Sequence, residues 1–237
     1  MRLTMKNKSD NMIIKDNDIY NLKYYLGGFM SYSSEQTRRR ILESAKNEFL
    51  SKSFLNANLK TIAENAKVTT GALYRHFKGK DELFYALFKE EFEFMSSAIS
   101  NTETDASVSR VKNLISEDEI EASIISMTNF IDYIYQHIDA FKLMFLCAEG
   151  SQYSGIKESL VDLYSERSFR FFCELYENKI IKHIPQKFEI HFISDVFFSA
   201  TIECIYQNLT YEEAKKHIRS FVTYHQYGCY GMMDIVE

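Results

Sequence analysis

Proline is almost missing from this chain of 237 residues: Pro185 stands alone, beside eight glycines. So few breakers favour long helices over many short strands joined by tight turns. Tryptophan is absent, and the four cysteines (Cys147, Cys173, Cys204 and Cys229) lie far apart with no CxxC pair. That usage predicts reduced thiols in a cytosol rather than a disulfide framework. No apolar run approaches the roughly 18 residues of a membrane span, and the most apolar stretch, Phe188–Leu209, is broken by Asp195 and Glu203. The N-terminal segment also lacks an apolar core of signal-peptide length. A soluble, cytoplasmic protein without a membrane partner is expected. Chemistry-bearing patterns are equally scarce. No glycine-rich phosphate loop follows a strand, no nucleophile elbow occurs, and the sequence gives no reason to pair a histidine with any cysteine or serine. An enzyme reading therefore has no support. His191 with Asp195 and Glu213 with His217 stand at i, i+4, yet two groups do not complete a metal site. They read as side-chain pairs on exposed turns, so neither metal nor cofactor is expected.

Charge is present in quantity but unevenly placed. Residues 31–80 hold ten Lys/Arg and four Asp/Glu, a net of +6, whereas residues 81–237 hold thirteen and 26, a net of −13. Residues 1–30 add +2, which returns the chain total of −5. A basic module on an acidic body is the asymmetry expected where one part meets a polyanion.

Hydrophobic periodicity is helical throughout, and the fold class predicted is all-α. Residues 1–30 have no sustained period. Met30, followed at once by "SYSSEQTRRR", resembles a start, so 1–30 is expected to be a flexible extension, an upstream start-site artefact or an arm that touches DNA. A first helix is predicted from Ser33 or Ser34, with Ser33 and Gln36 as a capping box and Ile41, Leu42, Ala45 and Phe49 as its apolar stripe. Asn58 caps a second helix to about Ala66. Thr69 caps a third, to His76 or Phe77, whose buried edge is Leu73 and Phe77. Gly79 opens a fourth, with Leu83, Phe84, Leu87 and Phe88 inward. Ser116–Glu119 is a second capping box, opening a helix to about His137. Gly150 and Gly155 bracket a loop, and the helix beyond it ends near Lys179. Pro185 suits the start of a helix over 188–208, and Thr210–Glu213 caps a last helix to about Gly228. Two domains are predicted, a basic unit over 31–80 and a larger helical body over 81–237.

The second and third helices have the length and separation of a helix-turn-helix, in which one α-helix enters the major groove while its partner braces across the phosphates. With Leu73 and Phe77 buried, Thr69, Thr70, Gly71, Ala72, Tyr74, Arg75 and His76 remain for contact. Gly71 and Ala72 are small enough for close approach, Tyr74 suits a phosphate, and Arg75 suits phosphate or guanine. Lys80, in the first turn of the fourth helix, would meet the backbone beside that helix's N–H groups. Ile62-Ala63, Ala66, Val68-Thr69, Gly71, Leu73-Tyr74, His76-Phe77, Lys80 and Leu83 together resemble the TetR (AcrR) family of bacterial transcriptional regulators over about Glu35–Phe88. Lys67 and Ser53 depart from the resemblance, since each stands where that family commonly has glycine.

The resemblance implies an Ω-shaped homodimer on a palindromic double-stranded DNA operator, paired through helices 188–208 and 210–228. It also implies a small-molecule ligand in the body that releases the operator, hence a repressor. Aromatic residues of the body are candidates to line a pocket for an apolar or aromatic ligand, with Phe130, Tyr133 and Phe171 singled out. At helical spacing the same residues equally suit a core. The alternative is an interaction protein that uses the same head but binds a protein partner through its body.

Overall fold

The computed structural model describes residues 16–101, 111 and 113–236, with side-chain surroundings given from Ser33 onward. Among the described residues there are ten helices. The first five are α1 (Asp16–Asn56), α2 (Leu59–Asn65), α3 (Thr70–His76), α4 (Lys80–Tyr85) and α5 (Lys89–Asn101). The others are α6 (Glu117–Gln136), α7 (Ile138–Leu146), α8 (Ile156–Glu177), α9 (Lys187–Tyr206) and α10 (Tyr211–Met232). The single β-bridge among these residues joins Ile181 to Ile235.

Several boundaries differ from the sequence expectation. Ser33 does not open a helix; it lies inside α1, where the Thr37 hydroxyl donates to its carbonyl oxygen at 2.8 Å. No proline interrupts residues 16–32, so the helix runs through the local Ser33–Gln36 pattern. Residues 16–30 of the predicted extension are thus helical, while residues 1–15 lie outside the described residues. The fourth helix stops at Ala86 and resumes at Lys89, split by a turn over 86–88. Leu83, Phe84 and Phe88 still point inward across that turn, which explains why the spacing reads as one helix.

The caps fall where short polar side chains were placed to make them. Asn58 accepts from Lys60 N–H at 2.8 Å, Thr69 from Ala72 N–H at 3.1 Å and Ser116 from Glu119 N–H. Thr210 and Glu213 satisfy each other's backbone N–H. Gln186 and Glu189 form a further reciprocal capping box ahead of α9, directly after Pro185. The last helix extends four residues beyond Gly228, and residues 234–236 then clasp the α8–α9 loop. There Lys182 N–H donates to Asp234 O and Val236 N–H to Ile180 O, both at 2.8 Å.

One apolar core runs from the N-terminal head into the helical body. It joins Ile41 and Phe49 of α1, Ile62 of α2 and Leu73 of α3 to Phe84, Phe141, Leu160, Ile202 and Ile218. Phe84 is central, with edge contacts to Phe49 at 4.9 Å, Phe54 at 5.2 Å and Phe88 at 5.1 Å. A smaller cluster of Val111, Phe172, Leu175, Ile180, Ile181, Ile190 and Met233 closes the far end.

Candidate nucleic-acid interface

The turn between α2 and α3 is set by backbone before any side chain acts. Lys67 N–H donates to Glu64 O and Val68 N–H to Ala63 O, each at 3.0 Å. Lys67 takes φ 56°, the left-handed region that favours glycine. Val68 then turns inward against the core, and Thr69, extended at φ −78° and ψ 154°, starts α3.

α3 is two turns long and two-sided. Leu73 is fully buried and Phe77 nearly so, fixing the helix on α1 and α2. Thr69, Thr70, Gly71, Tyr74 and Arg75 are exposed, and Ala72 and His76 half-buried, so the predicted contact residues share one short element with an open face. Tyr74 is a large hydrophobic left 50% exposed. Gly71 has neither a positive φ nor a neighbour that would meet a side chain; a Cβ there would come no nearer than 4.0 Å, to Thr69 Oγ1. Folding does not require its smallness.

Lys80 sits differently from expectation. Its ammonium lies 4.6 Å from the centre of the Phe54 ring and donates to Leu55 O at 3.3 Å. Burial lowers its pKa, opposed by the charges of Asp81 and Glu48. The side chain therefore bridges α4 to the end of α1. The sequence reading missed Arg38, Arg39 and Arg40. The Arg38 guanidinium lies 5.2 Å from the centre of the Phe77 ring, which ties α1's basic run to the end of α3. Arg40 donates to Thr37 Oγ1 at 3.4 Å, and Arg39 is exposed. Three consecutive arginines on the predicted first helix were the available sign.

The same head appears in known proteins. A family model described as "Bacterial regulatory proteins, tetR family" matches residues 41–87, which spans α2, α3 and α4. Over this head the chain is similar to the TetR family. A helix-turn-helix head on a helical body is the arrangement of a DNA-binding transcriptional regulator. HTH-type transcriptional regulator SrpR of Pseudomonas putida is 22% identical over 186 residues, 78% of this chain and 81% of that protein. HTH-type transcriptional repressor Rv1474c of Mycobacterium tuberculosis is 33% identical over 63 residues, but those cover 27% of this chain and 34% of the relative. Among solved structures, NalD, the secondary repressor of the MexAB-OprM multidrug efflux pump in Pseudomonas aeruginosa, superposes with a TM-score of 0.52. That match covers 82% of this chain and 97% of NalD at 16% identity, a likeness of fold.

In the helical body, the three aromatic residues predicted to line a pocket do not gather in one place. Phe130 and Tyr133 pack on Phe141, at 6.4 and 6.0 Å between ring centres. Tyr133 also contacts Phe94 and His137, and burial with the nearby Glu91 and Glu90 raises its pKa. Phe171 belongs instead to the smaller cluster, beside Phe172. The two spacings weighed for metal are also resolved into other contacts. His191 faces Asp162 at 3.3 Å while Asp195 pairs with Lys157 at 2.7 Å. Glu213 caps α10, and the His217 ring lies 2.9 Å from Ala200 O.

The head meets the body through the loop over 147–155. Phe54 N–H donates to Cys147 O at 2.7 Å, and Gln152 N–H to Asp81 Oδ1 at 2.9 Å. Tyr85 and Tyr153 stack at 4.9 Å. Ser53, at φ 59° and ψ 169°, makes the bend that brings Phe54 there.

Proposed function

We propose that this chain is a TetR-family regulator, a cytoplasmic, homodimeric repressor that leaves a palindromic operator when a small molecule binds its body. The observation that carries the reading is α3: capped by Thr69, fixed by Leu73 and Phe77, and open along Thr70, Gly71, Tyr74 and Arg75. In this reading the open face enters the major groove. Gly71 keeps the groove wall close, Tyr74 and the Arg38–Arg40 run hold phosphates, and Arg75 reads phosphate or a base edge. Residues 31–80 act as the DNA-binding unit and residues 81–237 as the ligand and dimerisation unit.

Dimerisation is assigned to α9 and α10. Phe188 and Phe192, one turn apart on α9, are 67% and 66% exposed, and Tyr224 and Tyr227 of α10 are 70% and 52% exposed. Large aromatic residues left open on the last two helices support pairing with a second copy. Ligand binding then moves α4 and α5 through the contacts at residues 147–155, which changes the separation of the two α3 helices. Operator half-sites recur at about one duplex turn or its multiples, so a small change of separation ends two-headed binding.

Selection from a random duplex pool tests the proposal. The protein is expected to enrich a two-fold symmetric site. An unsymmetrical site, or no enrichment at moderate salt, would contradict it.

A further inference from the structure

Among the described residues of the body, one guanidinium has a buried nitrogen left unpaired. Arg167 of α8 has its Nε buried with no hydrogen-bond partner among the described residues. Several other body cations are engaged with acids: Lys157 with Asp195, Lys182 with Asp234, Lys187 with Glu166, Lys215 with Glu212 and Arg219 with Glu121. Among the described residues Arg167 has no such pair and instead lies 5.8 Å from the centre of the Tyr164 ring.

Around it, α8, α9 and α10 contribute a continuous aromatic layer. Tyr164 stacks on Phe197 at 5.2 Å with ring planes 2° apart. Phe197 continues to Phe221 at 6.1 Å and to the His225 ring at 5.1 Å. His225 stands 3.7 Å from the Cys229 sulfur. Each of these side chains is half-buried rather than sealed in the core. The polar groups beside the arginine carry no negative charge at neutral pH. Burial lowers the pKa of His225, pushes the Cys229 thiol up to about 11, and raises the Tyr164 phenol.

We infer that this layer binds an aromatic carboxylate, with the acid on the Arg167 guanidinium and the ring against the Tyr164, Phe197, Phe221 and His225 faces. The buried Nε–H is one prong of the side-on fork that takes both oxygens of a carboxylate. A buried donor without a partner is costly to leave unmade, and an anion supplies that partner without a further proton transfer. The planar walls select a flat apolar body. This names the ligand class for the repressor proposed above and rests on that reading for its regulatory meaning.

The test is calorimetric titration of the full chain with 2-naphthoate and with its neutral isostere 2-naphthamide at pH 7. Naphthoate is expected to bind roughly 10- to 100-fold tighter, the range that a charge-assisted hydrogen-bond pair supplies. Arg167→Met should abolish the difference, and Arg167→Lys, which keeps the charge but not the fork, should retain part of it. Arg170→Met, an exposed arginine on the same helix, should leave it unchanged. Thermal melts establish that each variant is folded. Equal affinities in the wild type, no binding of either compound, or a preference that survives Arg167→Met would each overturn the site. So would loss of the dimer in Arg167→Met by sedimentation without any naphthoate preference in the wild type, which would assign the guanidinium to a partner chain. Operator anisotropy with and without naphthoate separates the two proposals. Tight binding of naphthoate with unchanged operator affinity keeps the site and removes its regulatory role.

Discussion

Gly71 and Lys67 illustrate how single residues divide between folding and function. Glycine inside a helix costs about 1 kcal/mol relative to alanine, and the fold leaves room for a Cβ at Gly71. Gly71→Ala is therefore expected to stabilise the chain by up to about 1 kcal/mol in urea denaturation. On the groove-facing assignment, the same change weakens operator binding. Equal operator affinity in the variant would place Gly71 away from DNA. Lys67 works the opposite way, since its φ of 56° puts a side chain in the left-handed region at a cost of about 1–2 kcal/mol. Lys67→Gly should gain stability of about 1 kcal/mol after the unfolded chain's larger entropy is subtracted. A loss of stability in the urea midpoint would show that the lysine stem stabilises the turn by more than the strain costs. The sequence exposed both positions, one as a small residue on a contact face and the other as a departure from glycine. It did not expose the engagement of Lys80 with Phe54 and Leu55, because a departure from glycine at Ser53 marks a bend without saying which residues the bend brings against α4.

At the scale of elements, helix ends were legible wherever a side chain caps them. Asn58, Thr69, Ser116 and Thr210 all accept the backbone N–H groups their positions predicted. Ser33 carries the same pattern and is not a cap, since a capping box is local and the chain before it is also helical. The turn over 86–88 stayed hidden because it preserves the inward phase of Phe84 and Phe88. Periodicity says which face of a helix is buried, not which neighbour buries it. Hence Phe171 was grouped with Phe130 and Tyr133, although it packs in another cluster. The loop over 147–155 carries an element-scale prediction. Gly150 has φ 82°, and a Cβ there would lie 2.8 Å from Leu55 Cδ1. Leu55 is 61% exposed and can move aside, so the backbone sets the cost. Gly150→Ala should destabilise the chain by about 1–2 kcal/mol, read as a lowered thermal midpoint. An unchanged midpoint would mean the loop re-forms without holding the head.

The whole molecule joins a basic head to an acidic body through one continuous core. That arrangement lets a change in the body reach α3, because packed interiors transmit strain rather than absorb it. The proposed pairing puts the exposed aromatics of α9 and α10 at the two-fold axis. The double substitution Phe188→Glu with Phe192→Glu should give monomers in sedimentation velocity while leaving the helical content intact. A dimer that persists would move the interface elsewhere. Charge alone suggested a basic head on an acidic body, whereas the contacts between them, such as Gln152 with Asp81 and Tyr85 with Tyr153, join residues too distant in sequence for any pattern to pair. The central claim is that α3 reads an operator. It is tested most directly by fluorescence anisotropy on duplex DNA from immediately upstream of the protein's own gene, against a scrambled duplex at equal salt. The account predicts preferential wild-type binding that falls steeply as salt rises, and loss of the preference in Arg75→Ala with Thr70→Ala. An upstream preference that survives both substitutions would contradict the assignment of α3 as the reading helix.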